Sequence, residues 1–209
     1  MCIRDRGTDR VLRHTLVGFG LMLLVIGFTE SSIYAILDAF ERPATFAGVL
    51  VTLQGVGAVI GGLTSNAIVR RIGEVGTTVL GMILLALPIG VIAWTSDLTV
   101  MLAALIVIGV SLPWLFVAVM TLVQRRTPQS IMGRVSMALE VLMGTPQAIS
   151  LAVGALLVAL ISYRAIFLVI ALVTALGAAY IAGLLRREIA ADIADAPARA
   201  QATADPSAP

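Results

Sequence analysis

Only one cysteine, Cys2, and one histidine, His14, occur in the 209 residues, and lysine is missing altogether. A lone cysteine excludes an intrachain disulfide and any metal site built from several cysteines. A lone histidine excludes the HExxH motif of metalloproteases and leaves zinc without a partner ligand. His14 lies beside Arg13 where the first apolar run begins, a position that suits an interfacial residue. Without lysine there is no GxxxxGK[ST] loop to cradle nucleotide phosphates. Charge of either sign is also scarce, 12% of residues against roughly 25% in soluble domains. The net charge of +2 is too small to suggest a nucleic-acid partner. All 14 basic residues are arginine, which beside so much alanine, glycine and valine reads as a coding bias and not as a function.

What the chain does have is apolar side chain. Hydrophobic residues make up 59% and the mean hydropathy is +1.04, values that describe an integral membrane protein. A transmembrane helix needs roughly 20 apolar residues. Six stretches meet that length, at about 15–37, 46–69, 77–95, 98–123, 136–161 and 164–185. Between them lie ERPAT, RRIGEVG, TSD, QRRTPQSIMGR and SYR, which carry the charge and turn residues. The runs far exceed the roughly 10 alternating residues of a barrel strand. The expected fold class is therefore all-α, a polytopic membrane protein with a six-helix domain over residues 11–187.

Arginines orient the bundle. With the N-terminus inside, 12 of the 14 fall in cytoplasmic segments, and only Arg42 and Arg164 face outward. Both termini are thus expected in the cytoplasm, with the cell membrane as the location. The opening MCIRDRGTDR lacks the apolar region and cleavage site of a signal peptide. MCIRDR resembles read-through of sequencing-adapter DNA, so residues 1–10 are expected to be non-native or disordered and the chain a fragment. The tail, 188–209, is rich in Ala, Asp and Pro and is expected to be a disordered cytosolic extension.

Lipid offers no hydrogen-bond partners, so polar side chains should face the bundle or a wet cavity. The third and sixth spans contain no charge, Asn or Gln within their apolar cores and can meet lipid. In the fifth, Ser136, Glu140, Gly144, Gln147, Ser150 and Gly154 recur at helical spacing. In the second, Gln54, Ala58, Gly61 and Ser65 align, with Gly57 and Gly61 at GxxxG spacing. In the fourth, Ser111, Trp114, Ala118 and Thr121 share a side, and Pro113 predicts a kink. The glycines point first to close helix packing. Gln54, Ser111, Trp114, Glu140 and Gln147 are the candidates for lining a cavity, with a structural hydrogen bond as the alternative for the amides and Glu140.

Glu30 interrupts the first run. It stands roughly 25 Å above Arg13 and roughly 12 Å below Asp38 along the helix. Leu16–Thr29 alone is too short to span, so the helix is expected to continue through IYAIL. An ionisable group inside a span is a functional candidate by default, and Glu30 is the candidate proton or cation site. The alternative is a snorkelling acid at the outer end of a tilted helix.

Six spans in this order, with the third and sixth most apolar, resemble the C-terminal half of a major facilitator superfamily transporter. QRRTPQSIMGRV is similar to the cytosolic loop between the fourth and fifth helices of that half in drug and siderophore exporters. SYRAIFLVIALV resembles the entry to its last helix, and GVLVTLQGVGAVIGGLTSNAIVRRIGE its second helix and following loop. The resemblance covers about residues 11–187. It implies a gating loop containing Gly62, Arg70, Arg71 and Gly73, although Asn66 stands about where the family's acid belongs. The alternative is that the two arginines serve only as positive-inside anchors. It further implies a secondary transporter, with proton-coupled efflux of a small amphipathic compound by alternating access. The implied partners are membrane lipid, the substrate, protons, and a second six-helix half or a second copy of this chain; no cofactor or metal is implied. The alternative is a self-contained six-helix protein that dimerises into a transporter or channel. A membrane enzyme or a scaffold fits less well: His14 is the only histidine and sits at the wrong depth to serve a serine nucleophile.

Overall fold

The computed structural model describes residues 10–128, 130 and 132–194, apart from the side chains at 136, 142, 155 and 159. The elements are α1 (Arg10–Ser31), α2 (Ile33–Ala39), a 3₁₀ turn (Ala44–Phe46), α3 (Ala47–Trp94), α4 (Leu98–Arg126), α5 (Met132–Leu160), α6 (Tyr163–Leu184) and α7 (Arg186–Ala194). No strand occurs among the described residues. Five helices are long and apolar enough to cross a membrane. The protein is an all-α, multi-pass membrane protein.

One of those five is really two. A straight helix of the 48 residues of α3 would be about 72 Å long, more than twice the hydrocarbon thickness. Gly73, with φ 74° and ψ 174°, is its one non-helical residue. The chain reverses there, as contacts with α4 show. Gly57 crosses Gly109 with Cα atoms close enough that a Cβ on either would meet the other's Cα at 3.0 Å. Thr64 meets Trp114, Glu74 meets Arg125, and Gly81 packs on Leu115. The first arm, 47–72, therefore runs parallel to α4 and the second, 74–94, antiparallel to it. Each arm can span alone, so six helical passes result. Gly73 has two reasons to be glycine: its φ lies in the left-handed region, and the Asp192 carboxylate occupies the space a Cβ would need.

The first expected span is divided by one residue. α1 stops at Ser31, Ser32 forms a turn, and α2 resumes at Ile33. Hydroxyls compete with the helix here: Thr29 Oγ1 donates to Ile26 O at 2.6 Å and Ser32 Oγ to Phe28 O at 2.8 Å. Backbone bonding continues across the break, from Ser32 N to Phe28 O and from Ile36 N to Ser32 O. The pass then closes on a Schellman arrangement, with Arg42 N donating to Leu37 O and Glu41 N to Asp38 O. Glu41 takes the left-handed position at φ 52° that glycine usually fills.

The core forms where α1, the second arm of α3, α4 and α6 meet. Phe19, Met22, Met82, Leu85, Ile89, Leu115, Ile170 and Ile181 are fully buried there. Gly177 packs on Met82 and Gly90 on Ala171, so α6 runs antiparallel to the second arm. The outer sides of these two helices expose Leu80, Ile83, Leu87, Val91 and Trp94, and Leu168, Leu172, Leu176 and Tyr180. Each is a continuous stripe at helical spacing, suited to lipid. α1 and α6 are joined at their ends by His14 Nδ1 and Tyr180 Oη, 2.7 Å apart. Pro113 lies inside an unbroken α4.

α5 packs chiefly on α1 and leaves most of its remaining surface uncovered. The chain beyond α6 begins as a helix, α7, in place of the disordered tail expected from residue 188. Ile189 of α7 packs near Gly76, Asp192 covers Gly73, and Glu188 stands 3.8 Å from Arg126. Residues 195–209 of the expected tail, and the Ser136 side chain, lie outside the described residues.

Candidate functional site

A cavity of about 510 Å³ opens between α1, α2, both arms of α3 and α4, with one residue each from α5 and α6. It lies in the half of the bundle remote from Gly73: Gln54 is about 28 Å along the helix from that turn. Most of its wall is aliphatic or aromatic, including Met22, Leu50, Ile89, Met101, Phe116 and Phe167. The polar side chains that line it are Thr29, Glu30, Gln54 and Gln147. No arginine lines it.

Three of the residues singled out by sequence thus share one wall, and the helix seams explain how. α1 and α5 touch at glycines: Gly27 faces Ser150 and the Gln147 carbonyl, and Gly154 faces Phe28 and Ser31. Ser31 Oγ donates to Leu151 O at 3.0 Å, which locks the two helices in register. That register carries Glu30 and Gln147 to the same opening. The Gly57–Gly109 crossing does the same for Gln54, by letting α3 approach α4 closely. Glu30 and Gln147 are exposed and Gln54 is half-buried. Thr29, a fourth polar side chain on this wall, is concealed in the sequence because its hydroxyl proton is spent on its own helix.

The other candidates lie elsewhere. Ser111 is fully buried and donates to Ile108 O at 2.7 Å within its own helix. Trp114 is half-buried, and its Nε1–H donates to Thr64 Oγ1 at 2.9 Å, tying α3 to α4. Neither lines the cavity. Glu140 is exposed on α5 and also stands off the cavity wall.

The loop residues show a similar division. Gly62 points to open space; its neighbour Gly61 makes the packing contact, against Val110. Arg70 and Arg71 are exposed, with no ion pair among the described residues. The acid at this end of the bundle is Glu74, directly after Gly73, which the sequence reading did not single out. Its carboxylate accepts a charge-assisted hydrogen bond from Arg125 at the end of α4. Asp192 adds a second negative charge near Arg125. The signal was present as adjacent letters, Gly73 and Glu74, but only the reversal shows that Arg125 lies opposite them. Among the described residues no group of three or more His, Cys, Asp or Glu could hold a metal ion.

The family description "Major Facilitator Superfamily" matches residues 15–207. No curated protein and no solved structure matches the chain.

Proposed function

The chain belongs to the major facilitator superfamily, and from that premise we propose that it forms one six-helix half of a proton-coupled exporter. The carrying observation is that Glu30, Gln54 and Gln147, with Thr29, line one cavity whose wall is otherwise apolar. Binding sites of such carriers lie between two repeats near the bilayer midplane, and one repeat rocks against the other. In this reading a small amphipathic compound sits against the apolar wall, and the amides orient it. Glu30 exchanges a proton with water on one side of the membrane and releases it on the other.

The arginine distribution supports placing the Gly73 end in the cytoplasm, so the cavity opens toward the outer half of a cell membrane. Gly62, Arg70, Arg71 and Gly73 then belong to the cytoplasmic loop region, with the Glu74–Arg125 pair as its structural lock. The second wall of the site comes from another six-helix body, the other half of a transporter or a second copy. Uncovered surface supports that part: a Cβ on Gly48, Gly55 or Gly62 of α3 or on Gly144 of α5 would meet no other part of the protein within 4 Å. Glu140 stands on the same uncovered helix as Gly144 and would meet that body.

The test is flux across vesicles holding the assembled transporter, with and without a proton gradient. Glu30→Gln is expected to abolish gradient-driven export while expression stays intact. Unchanged export rejects Glu30 as the coupling site, and export indifferent to the gradient rejects antiport.

A further inference from the structure

We infer that the seam between α1 and α6 holds one anionic phospholipid, its phosphate among Arg10, Arg13, Arg186 and Arg187 and its acyl chains along the exposed faces of both helices. None of these arginines lines the cavity, so the site stands apart from the transport reading. His14 Nδ1 and Tyr180 Oη lie 2.7 Å apart, and one turn deeper Gly18 packs on Gly177 and Ile181, so α1 and α6 run antiparallel. That register brings Arg10 and Arg13 to the level of Arg186 and Arg187, where both apolar runs have just ended. All four are exposed, and none has an ion pair among the described residues. Arg125 and Arg126 differ, because Glu74 and Glu188 stand against them. Glu188, the acid next to Arg187, is thereby turned toward α4. Guanidinium groups gathered without an acid repel one another, and a phosphate oxygen is the partner their planar donors fit best.

The pair between the two helices adds a donor. A neutral imidazole carries a single N–H. If Tyr180 gives its hydroxyl proton to Nδ1, the N–H of His14 is at Nε2; if Nδ1 carries the proton, the Tyr180 hydroxyl is free to donate. In both cases one polar hydrogen is left over for a phosphate oxygen.

Below the arginines the surface turns apolar. Tyr180 is 42% exposed while bonded to α1, so the seam opens on the uncovered side of both helices. Val17, Leu21 and Leu24 continue from Arg13 on α1, and Leu176 and Leu172 from Tyr180 on α6, all of them exposed. From Arg13 to Leu24 is about 16 Å of helix, the depth of one leaflet in a hydrocarbon core of roughly 30 Å. A phosphate carried on acyl chains matches both parts of the seam. A free phosphate or an acidic protein segment matches only the first. A zwitterionic headgroup would bring its own cation among the arginines, so the charge favours a lipid that is negative overall.

The experiment is stepwise lipid binding to the full chain in detergent, read by native mass spectrometry, with dioleoyl phosphatidylglycerol against dioleoyl phosphatidylcholine. The first phosphatidylglycerol is expected to bind about tenfold tighter than the first phosphatidylcholine, and later ones no tighter than phosphatidylcholine. Arg13→Gln combined with Arg186→Gln is expected to lower the affinity for the first phosphatidylglycerol about tenfold. Arg42→Gln combined with Arg164→Gln removes the same charge from the opposite ends of the spans and is expected to leave that affinity unchanged. Gly183 lies on the exposed side of α6 just beyond Tyr180, where a Cβ would meet nothing within 4 Å. Gly183→Arg is therefore expected to raise the affinity, a gain that misfolding cannot mimic. Equal affinity for the two lipids, unchanged affinity in the Arg13 and Arg186 variant, or an equal loss in the Arg42 and Arg164 variant each overturns the inference. Displacement of the bound lipid by inorganic phosphate also overturns it, by assigning the arginines to a free anion.

Discussion

Glu74 and Arg125 are 51 positions apart in the chain, yet they form an ion pair at the turn where α3 reverses. The Glu74 side chain is 7% exposed and the Arg125 side chain 61%. The pair is therefore lopsided: one partner depends on it and the other can return to water.

That asymmetry predicts unequal costs. Arg125→Ala strands a buried carboxylate and should lower stability by about 2–3 kcal/mol. Glu74→Gln keeps an acceptor in place and frees an arginine that is already hydrated, so it should cost less than about 1 kcal/mol. Thermal unfolding of the two variants in detergent checks the order; equal losses contradict it.

Gly73 carries both a left-handed φ and the Asp192 carboxylate against its Cα. Gly73→Ala should destabilise by about 1–3 kcal/mol, from backbone strain and displacement of α7. Adding Asp192→Ala should recover only part of the loss, because it relieves the contact and not the dihedral angle. Full recovery would show that the backbone carries no strain.

At Glu41 the same dihedral problem is solved without glycine, at φ 52°. Glu41→Gly should raise stability by about 1 kcal/mol, since it relaxes the C-cap of α2 and leaves both closing hydrogen bonds intact. A lower melting temperature would contradict this.

Ser150 is 1% exposed, pressed on Gly27, and its hydroxyl has no hydrogen-bond partner among the described residues. Ser150→Ala should be neutral or stabilising by up to about 1 kcal/mol, because it removes an orphaned polar group at little change in volume. Gly27→Leu on the facing helix should instead separate α1 from α5. Its signature is loss of the seam that holds Gln147 beside the cavity, read as weaker ligand binding with α4 packing unchanged.

Much of this was legible as text, for reasons that differ by residue. The passes could be read because hydrocarbon thickness sets their length, and Glu30, Gln54 and Gln147 because lipid makes their types conspicuous. Gly57 and Gly61 were correctly read as packing residues, since their spacing has a local meaning. Ser111 and Trp114 share a periodic face, but periodicity names a face and not the neighbour it meets. Trp114 found Thr64, and Ser111 found its own backbone. Glu74 was hidden for the opposite reason: its partner is distant in sequence, and only the sharp reversal at Gly73 brings Arg125 to it. The helical start of α7 was hidden by composition, because Ala and Asp suit a loose tail as well as a short docked helix.

The contact between His14 and Tyr180 has a topological consequence. It joins the opening turns of the first pass to the closing turns of the last, so the two ends of the helical domain lie side by side. A circular permutant that joins the end of α7 to the start of α1, and is cut instead at 95–97, would keep every helix beside its present neighbours. The order in which the passes enter a membrane would change while their arrangement stayed the same. Such a chain would separate what insertion order decides from what packing decides.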